Sequence, residues 1–194
     1  VSIMGGNEKL QLLTSATYFD HEGIVKGQDF SRYSVRVNFD WELNKVAKLG
    51  AKTQFSHYNL NNGVNLYDAT KHIYPLADIR DENGGYMTER PGGDPQLWNQ
   101  FLNLQHTKRE VKKNRFIGSF YLELKLPFEV NYRTNAGIDI GAQNKSEFYG
   151  SLSADRSGTS SRAVNENMTS RIYIWENILY YNKQLHENHT LVVT

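Results

Sequence analysis

From Arg32 to Trp41 the chain alternates without a break. Tyr33, Val35, Val37, Phe39 and Trp41 are apolar, and Arg32, Ser34, Arg36, Asn38 and Asp40 between them are polar. Successive side chains of a strand point to opposite sheet faces, so this stretch dictates a strand with one greasy face and one charged face. Its length matches the roughly 9–11 residues that a tilted strand needs to cross a bilayer. An aromatic stands at each end of its apolar face, as in an interfacial girdle. A strand of a water-soluble sandwich carries the same pattern, so the meaning of this one depends on its companions.

Companions exist. Along Ala47–Tyr58, Leu49, Ala51, Thr53 and Phe55 oppose Lys48, Gly50, Lys52 and Gln54. From Asn114, the set Phe116, Gly118, Phe120, Leu122, Leu124 and Leu126 opposes Arg115, Ser119, Tyr121, Glu123 and Lys125. Val130, Tyr132, Thr134, Ala136, Ile138 and Ile140 then oppose Asn131, Arg133, Asn135 and Asp139. Leu10–Val25 reads as a further strand, and Val1–Met4 and Thr190–Thr194 as parts of two more. Ser170–Asn182 has aromatics on both faces, which leaves its register open. The pattern predicts an all-β fold, an antiparallel up-and-down meander of about eight strands. Two stretches break the period, 59–109 and 143–167, both rich in turn formers. A short helix is expected near 95–104.

The connections sort by length. Turns at Gly5–Glu8, Leu43–Lys45, Pro127–Glu129 and Lys183–Asn188 alternate with the long segments 59–109 and 143–167, Lys26–Asp29 being the short exception. Alternate connections of a meander lie at opposite ends of the sheet. Short turns at one end and long loops at the other is the habit of bacterial outer-membrane barrels, which makes 59–109 an extracellular loop. The whole of 1–194 then reads as a barrel segment. No apolar run is long enough for a transmembrane helix, but a barrel shows only every second residue to lipid. No signal peptide is evident. Both ends read as strand interiors, so a piece of a longer polypeptide is expected.

Charge and motifs narrow the function. Lys+Arg 22 against Asp+Glu 21 gives no reason to invoke nucleic acid. Cysteine is absent, which removes disulfides and thiolate metal sites. No nucleophilic triad, phosphate loop or dinucleotide fingerprint is present, so no catalytic residue, cofactor or metal site is expected and the chain is not read as an enzyme. Asp78, Asp81 and Glu82 miss the spacing of a calcium loop.

The turn and strand wording is also familiar. Gly5-Gly6-Asn7-Glu8-Lys9, Tyr18-Phe19-Asp20-His21-Glu22-Gly23-Ile24-Val25-Lys26, Arg32-Tyr33-Ser34-Val35-Arg36-Val37-Asn38 and Leu43-Asn44-Lys45 resemble the barrel of the SusC/RagA-like TonB-dependent transporters of Bacteroidota outer membranes. Asn114-Arg115-Phe116-Ile117-Gly118 and Trp175–Lys183 look like later strands of the same barrel. The resemblance implies a plugged barrel of about 22 strands that imports glycans, oligopeptides or similar oligomers. It implies a SusD-like surface lipoprotein as lid, and a TonB complex acting through segments not found here. No plug domain is recognisable in this chain.

Transport needs a polar lumen and a vestibule rather than a catalytic group. Arg32, Arg36, Arg115, Arg133 and Asp139, with Lys52 and Glu123, are expected on the lumen side as candidate ligand contacts, or as charges that pair across strands. Tyr67, Tyr74, Tyr86 and Trp98 in the long loop are candidates for stacking on a glycan or peptide, or for anchoring the loop. A rival from another class stays open, a soluble all-β carbohydrate-binding or adhesin-type module whose apolar faces pack on each other.

Overall fold

A computed structural model describes residues 1–64, 66, 76, 78–89, 98–186 and 189–194. Eight strands form one antiparallel sheet in simple sequence order. They are β1 (Ser2–Gly6), β2 (Leu10–Glu22), β3 (Gln28–Glu42), β4 (Ala47–Asn62), β5 (Thr107–Lys125), β6 (Val130–Tyr149), β7 (Arg162–His186) and β8 (His189–Val193). Each strand pairs only with its chain neighbours, which is the expected meander.

The strands run on past the predicted limits. β4 reaches Asn62 and β5 starts at Thr107. The second connection is much shorter than 143–167, because β6 continues to Tyr149 and β7 begins at Arg162. The physical reason is that both faces are polar at this end. The two-residue hydrophobic period vanishes there although the backbone ladder goes on. Side-chain bonds support it. Asn144 Nδ2 donates to Asn165 Oδ1 at 2.9 Å and to Asn167 Oδ1 at 2.7 Å. Of the short helix expected near 95–104, residues 95–97 lie outside the described residues; a 3-10 turn spans Gln100–Leu102 and one helical turn spans Asn103–His106.

Two turns at the short-loop end share one device. Asn7 Oδ1 accepts from the backbone of Lys9 and Leu10, each at 2.8 Å. Asn44 Oδ1 accepts from Val46 and Ala47 at 2.8 and 2.9 Å. An Asn side chain that mimics a backbone turn fixes these hairpins locally.

Hardly any core lies within the strands. Among the described residues the buried apolar side chains are Ala51, Val64, Leu102 and Ala154. Three of these four sit outside the strands, where the two long connections meet. There Asp155 N donates to Asn103 Oδ1 at 3.4 Å, and Gly150 N donates to His106 O at 2.7 Å. The sheet itself is a single layer with large apolar side chains in the open, including Trp175 at 76% and Tyr173 at 66% exposure. A sandwich would cover such a face with a second sheet.

Candidate functional site

The register assembles the two faces strand by strand. Val37 lies across from Thr53, Thr53 from Gly118, Gly118 from Ile138 and Ile138 from Tyr173. Arg36 lies across from Gln54, Gln54 from Ile117, Ile117 from Asp139 and Asp139 from Ile172. One face is therefore continuous and apolar, and the other gathers the predicted charges.

The apolar window also slides. On β3 it runs from Tyr33 to Trp41, with aromatics at both ends. On β7 a window of equal length runs from Tyr173 to Tyr181. Tyr33 is in register, through His57, Asn114 and Ala142, with Thr169. Trp41 is in register, through Leu49, Leu122 and Thr134, with Asn177. Both ends of the window have thus moved four residues, from 169 to 173 and from 177 to 181. Four residues at about 3.3 Å, over four strand spacings of about 4.8 Å, correspond to a tilt of about 35° between strands and window normal. Transmembrane barrels tilt their strands by about 35–45°.

On the polar face, Arg32 and Arg36 come together. They share a shallow basin of about 370 Å³ with Ser15, Thr17, Ser34 and Gln54. Arg36 donates Nη2 and Nε to Gln54 Oε1, at 2.8 and 3.3 Å. The Arg32 guanidinium lies 5.9 Å from the Phe19 ring centre. A neutral amide and a ring orient the two cations without neutralising them. No carboxylate lines this basin among the described residues. Such a site favours a ligand that carries carboxylate, sulfate or phosphate.

Four of the other predicted charges are spent on each other, while Lys52 lies across from Asn38 and has no ion-pair partner among the described residues. Arg115 grips Asp139 through two bonds, Nε to Oδ1 at 2.9 Å and Nη2 to Oδ2 at 2.6 Å. Arg133 Nη1 is 3.6 Å from Glu123 Oε2, its Nε donates to Asn135 Oδ1 at 3.0 Å, and its guanidinium lies 4.6 Å from the Tyr121 ring centre. Tyr121 reaches over Gly50 to donate to Asp40. A Cβ on Gly50 would lie 2.7 Å from Asp40 Oδ1 and 2.8 Å from Phe39 O, so this glycine makes room for the bridge. That linkage from β3 to β6 was not read from the sequence. A glycine opposite a tyrosine in the paired strand was its only signal. A second unforeseen cluster, Arg109, Lys145 and Glu147, lies in or beside the stretches read as loops. Glu147 Oε1 is 3.4 Å from Arg109 Nε and 3.2 Å from Lys145 Nζ.

Of the predicted loop aromatics, Tyr67 and Tyr74 lie outside the described residues. Tyr86 is held between the Arg80 guanidinium, 4.2 Å from its ring centre, and the Phe101 ring at 5.8 Å. Trp98 lies against Gly158 of the second loop, where an added Cβ would be 3.1 Å from Trp98 Cζ2. Among the described residues no group of three or more His, Cys, Asp or Glu is arranged to hold a metal ion.

Comparison with known proteins follows the same lines. No protein-family model matches the chain. Its sequence is 28% identical over 195 residues to TonB-dependent receptor P26 of Formosa agariphila, covering 98% of this chain and 20% of that protein. TonB-dependent receptor P39 of the same organism is 23% identical over 197 residues, covering 98% of this chain and 18% of the receptor. The fold matches the RagAB peptide importer. The TM-score is 0.79 at 18% identity for its open-open state and 0.72 at 20% identity for its closed-closed state. Each match covers 98% of this chain and 22% of the solved chain. The chain thus spans about a fifth of the length of the relatives it matches. It is a relative of TonB-dependent receptors with the fold of a RagA-like barrel segment.

Proposed function

We propose that these residues form one arc of the wall of a TonB-dependent transporter in a bacterial outer membrane. The observation that carries this reading is the sliding apolar window. A band bracketed by aromatics and equally long on β3 and β7, inclined to the hydrogen-bond rows by the tilt a barrel needs, suits a lipid slab and is left uncovered among the described residues. The opposite face is the lumen wall. Its paired charges, Arg115–Asp139 and Arg133–Glu123, stiffen the wall, and the unneutralised Arg32 and Arg36 receive anionic groups of the passing nutrient. A peptide carboxylate or an acidic glycan fits that chemistry. The long connections face the cell exterior, where a SusD-like lipoprotein closes over the mouth. TonB acts through parts of the transporter outside these residues. Nothing in this role calls for a catalytic step.

Fractionation of the source cells tests the reading. The polypeptide is expected in the outer-membrane pellet, resistant to alkaline carbonate and released by detergent. Recovery in buffer without detergent would overturn it and restore the soluble binding module.

A further inference from the structure

Arg171 is a cation on the apolar face without a partner among the described residues. Arg171 lies in register with Ile140, which faces Phe116, which faces Phe55. Its side chain therefore belongs to the apolar face. Among the described residues it makes no hydrogen bond, ion pair or ring contact. It is exposed, and it precedes Tyr173, the upper aromatic of the β7 window, by two residues. On the tilt derived above, that places it about 5 Å beyond the apolar band, on the long-loop side.

The surface above Arg171 is polar in a particular way. The amides of Asn144, Asn165 and Asn167 bond to one another across β6 and β7. Lys112 is in register with Asn144 and leans on Glu110 at 3.0 Å. Higher still, a cleft of about 330 Å³ runs past Lys108, Ser146, Phe148 and Asn165. Phe148 lines it with a ring that is 49% exposed. An apolar slope, a cation at its rim, a ladder of amides and an aromatic in a cleft follow each other up one face. Acyl chains, a phosphate and sugar rings follow each other in the same order in a phosphorylated glycolipid. Amides bond to sugar hydroxyls, and aromatic rings pack on sugar faces.

We propose that the outward face of β5–β7 docks a phosphorylated glycolipid of the outer leaflet, with Arg171 on its phosphate and the Asn144–Asn165–Asn167 ladder and the Phe148 cleft on its saccharide. The proposal rests on the membrane reading given above, because the site is continuous with the lipid-facing band. It concerns the surrounding lipid and not the transported cargo.

The test uses the transporter purified in detergent and reconstituted into phosphatidylethanolamine vesicles that contain either lipopolysaccharide or phosphatidylglycerol. Lipid retained per transporter after re-extraction is counted by mass spectrometry. Arg171→Gln is expected to lower retained lipopolysaccharide roughly tenfold, the scale for losing a charge-assisted contact. Asn167→Ala should lower it less, and Lys125→Gln on the opposite face should leave it unchanged. Unchanged retention in Arg171→Gln would overturn the proposal. Equal losses of lipopolysaccharide and phosphatidylglycerol would overturn it too, by reducing the site to a generic anionic contact. The heat-modifiable mobility of the barrel on a gel verifies that each variant is folded. A wild-type protein that fails to enter vesicles at all would instead remove the membrane reading, and this proposal with it.

Discussion

Placing a lysine at Val37 and, separately, at Asn38 sets the two faces against each other at neighbouring positions. Val37 lies midway between Tyr33 and Trp41 on the apolar face. Eight residue steps of about 3.3 Å, tilted by about 35°, make the window about 22 Å tall, so Val37 is about 11 Å from either edge. A lysine stem reaches about 6 Å, too short to bring its ammonium to water from there. The cost of Val37→Lys is then the midplane cost, about 2–4 kcal/mol, or roughly 30- to 700-fold in the folding equilibrium. Asn38 points to the opposite face, where it lies across from Lys52. A lysine there meets water and one like charge, at about 0.2–1 kcal/mol. The assay is the urea midpoint for loss of the folded form in lipid vesicles, read for both variants at equal slope. Equal losses at 37 and 38 would refute the assignment of the faces. A larger loss at 38 would reverse it.

Gly50→Ala should cost about 1–3 kcal/mol, because the new methyl meets the Tyr121 ring and the Asp40 carboxylate. Tyr121→Ala in the same chain should recover part of that cost, so a double-mutant cycle in which the two effects simply add would count against the bridge. Replacing Arg32 and Arg36 together by Gln should weaken binding of carboxylate-bearing oligomers by about tenfold and flatten its salt dependence, while neutral oligomers bind as before. Calorimetry with an acidic and a neutral oligomer of equal length checks this, and parallel losses for both would remove the anionic role of the basin. Asn44→Ala removes two bonds that hold the β3–β4 turn and should lower stability by about 1 kcal/mol in the same urea assay.

The fold was legible wherever one face is greasy and the other wet. β3 to β6 read correctly through their middles because a one-residue slip there would turn Val35, Phe116 or Ile138 to the wrong side. β7 did not, and its side chains show why. The side it shares with Asp139 carries Ile172, Ile174 and Ile178 with Glu176, and the side it shares with Ile140 carries Arg171 and Asn177 beside Tyr173 and Trp175. Alternation cannot be read from a strand that mixes apolar and polar residues on both sides, and only pairing with β6 decides which is which. The strand ends were invisible for the opposite reason. Above the band both faces are polar, so Asn144, Ser146, Asn165 and Asn167 look like loop residues although they extend the ladder. The functional face divides in the same manner. That Arg32 and Arg36 share a side follows from their spacing in one strand. That Arg115 and Asp139 cancel while Arg32 and Arg36 do not depends on which residues neighbouring strands bring opposite, a property of register rather than of any one segment. The tilt belongs to this second kind of information. No single strand contains it, and it emerges only when the window of β3 is carried across three intervening strands and found four residues out of step on β7. A chain whose apolar band were laid out for a second protein sheet would be under no requirement to keep that band equally long as it slid. Its equal length on β3 and β7 points to a slab of fixed thickness, and lipid is the solvent that supplies one.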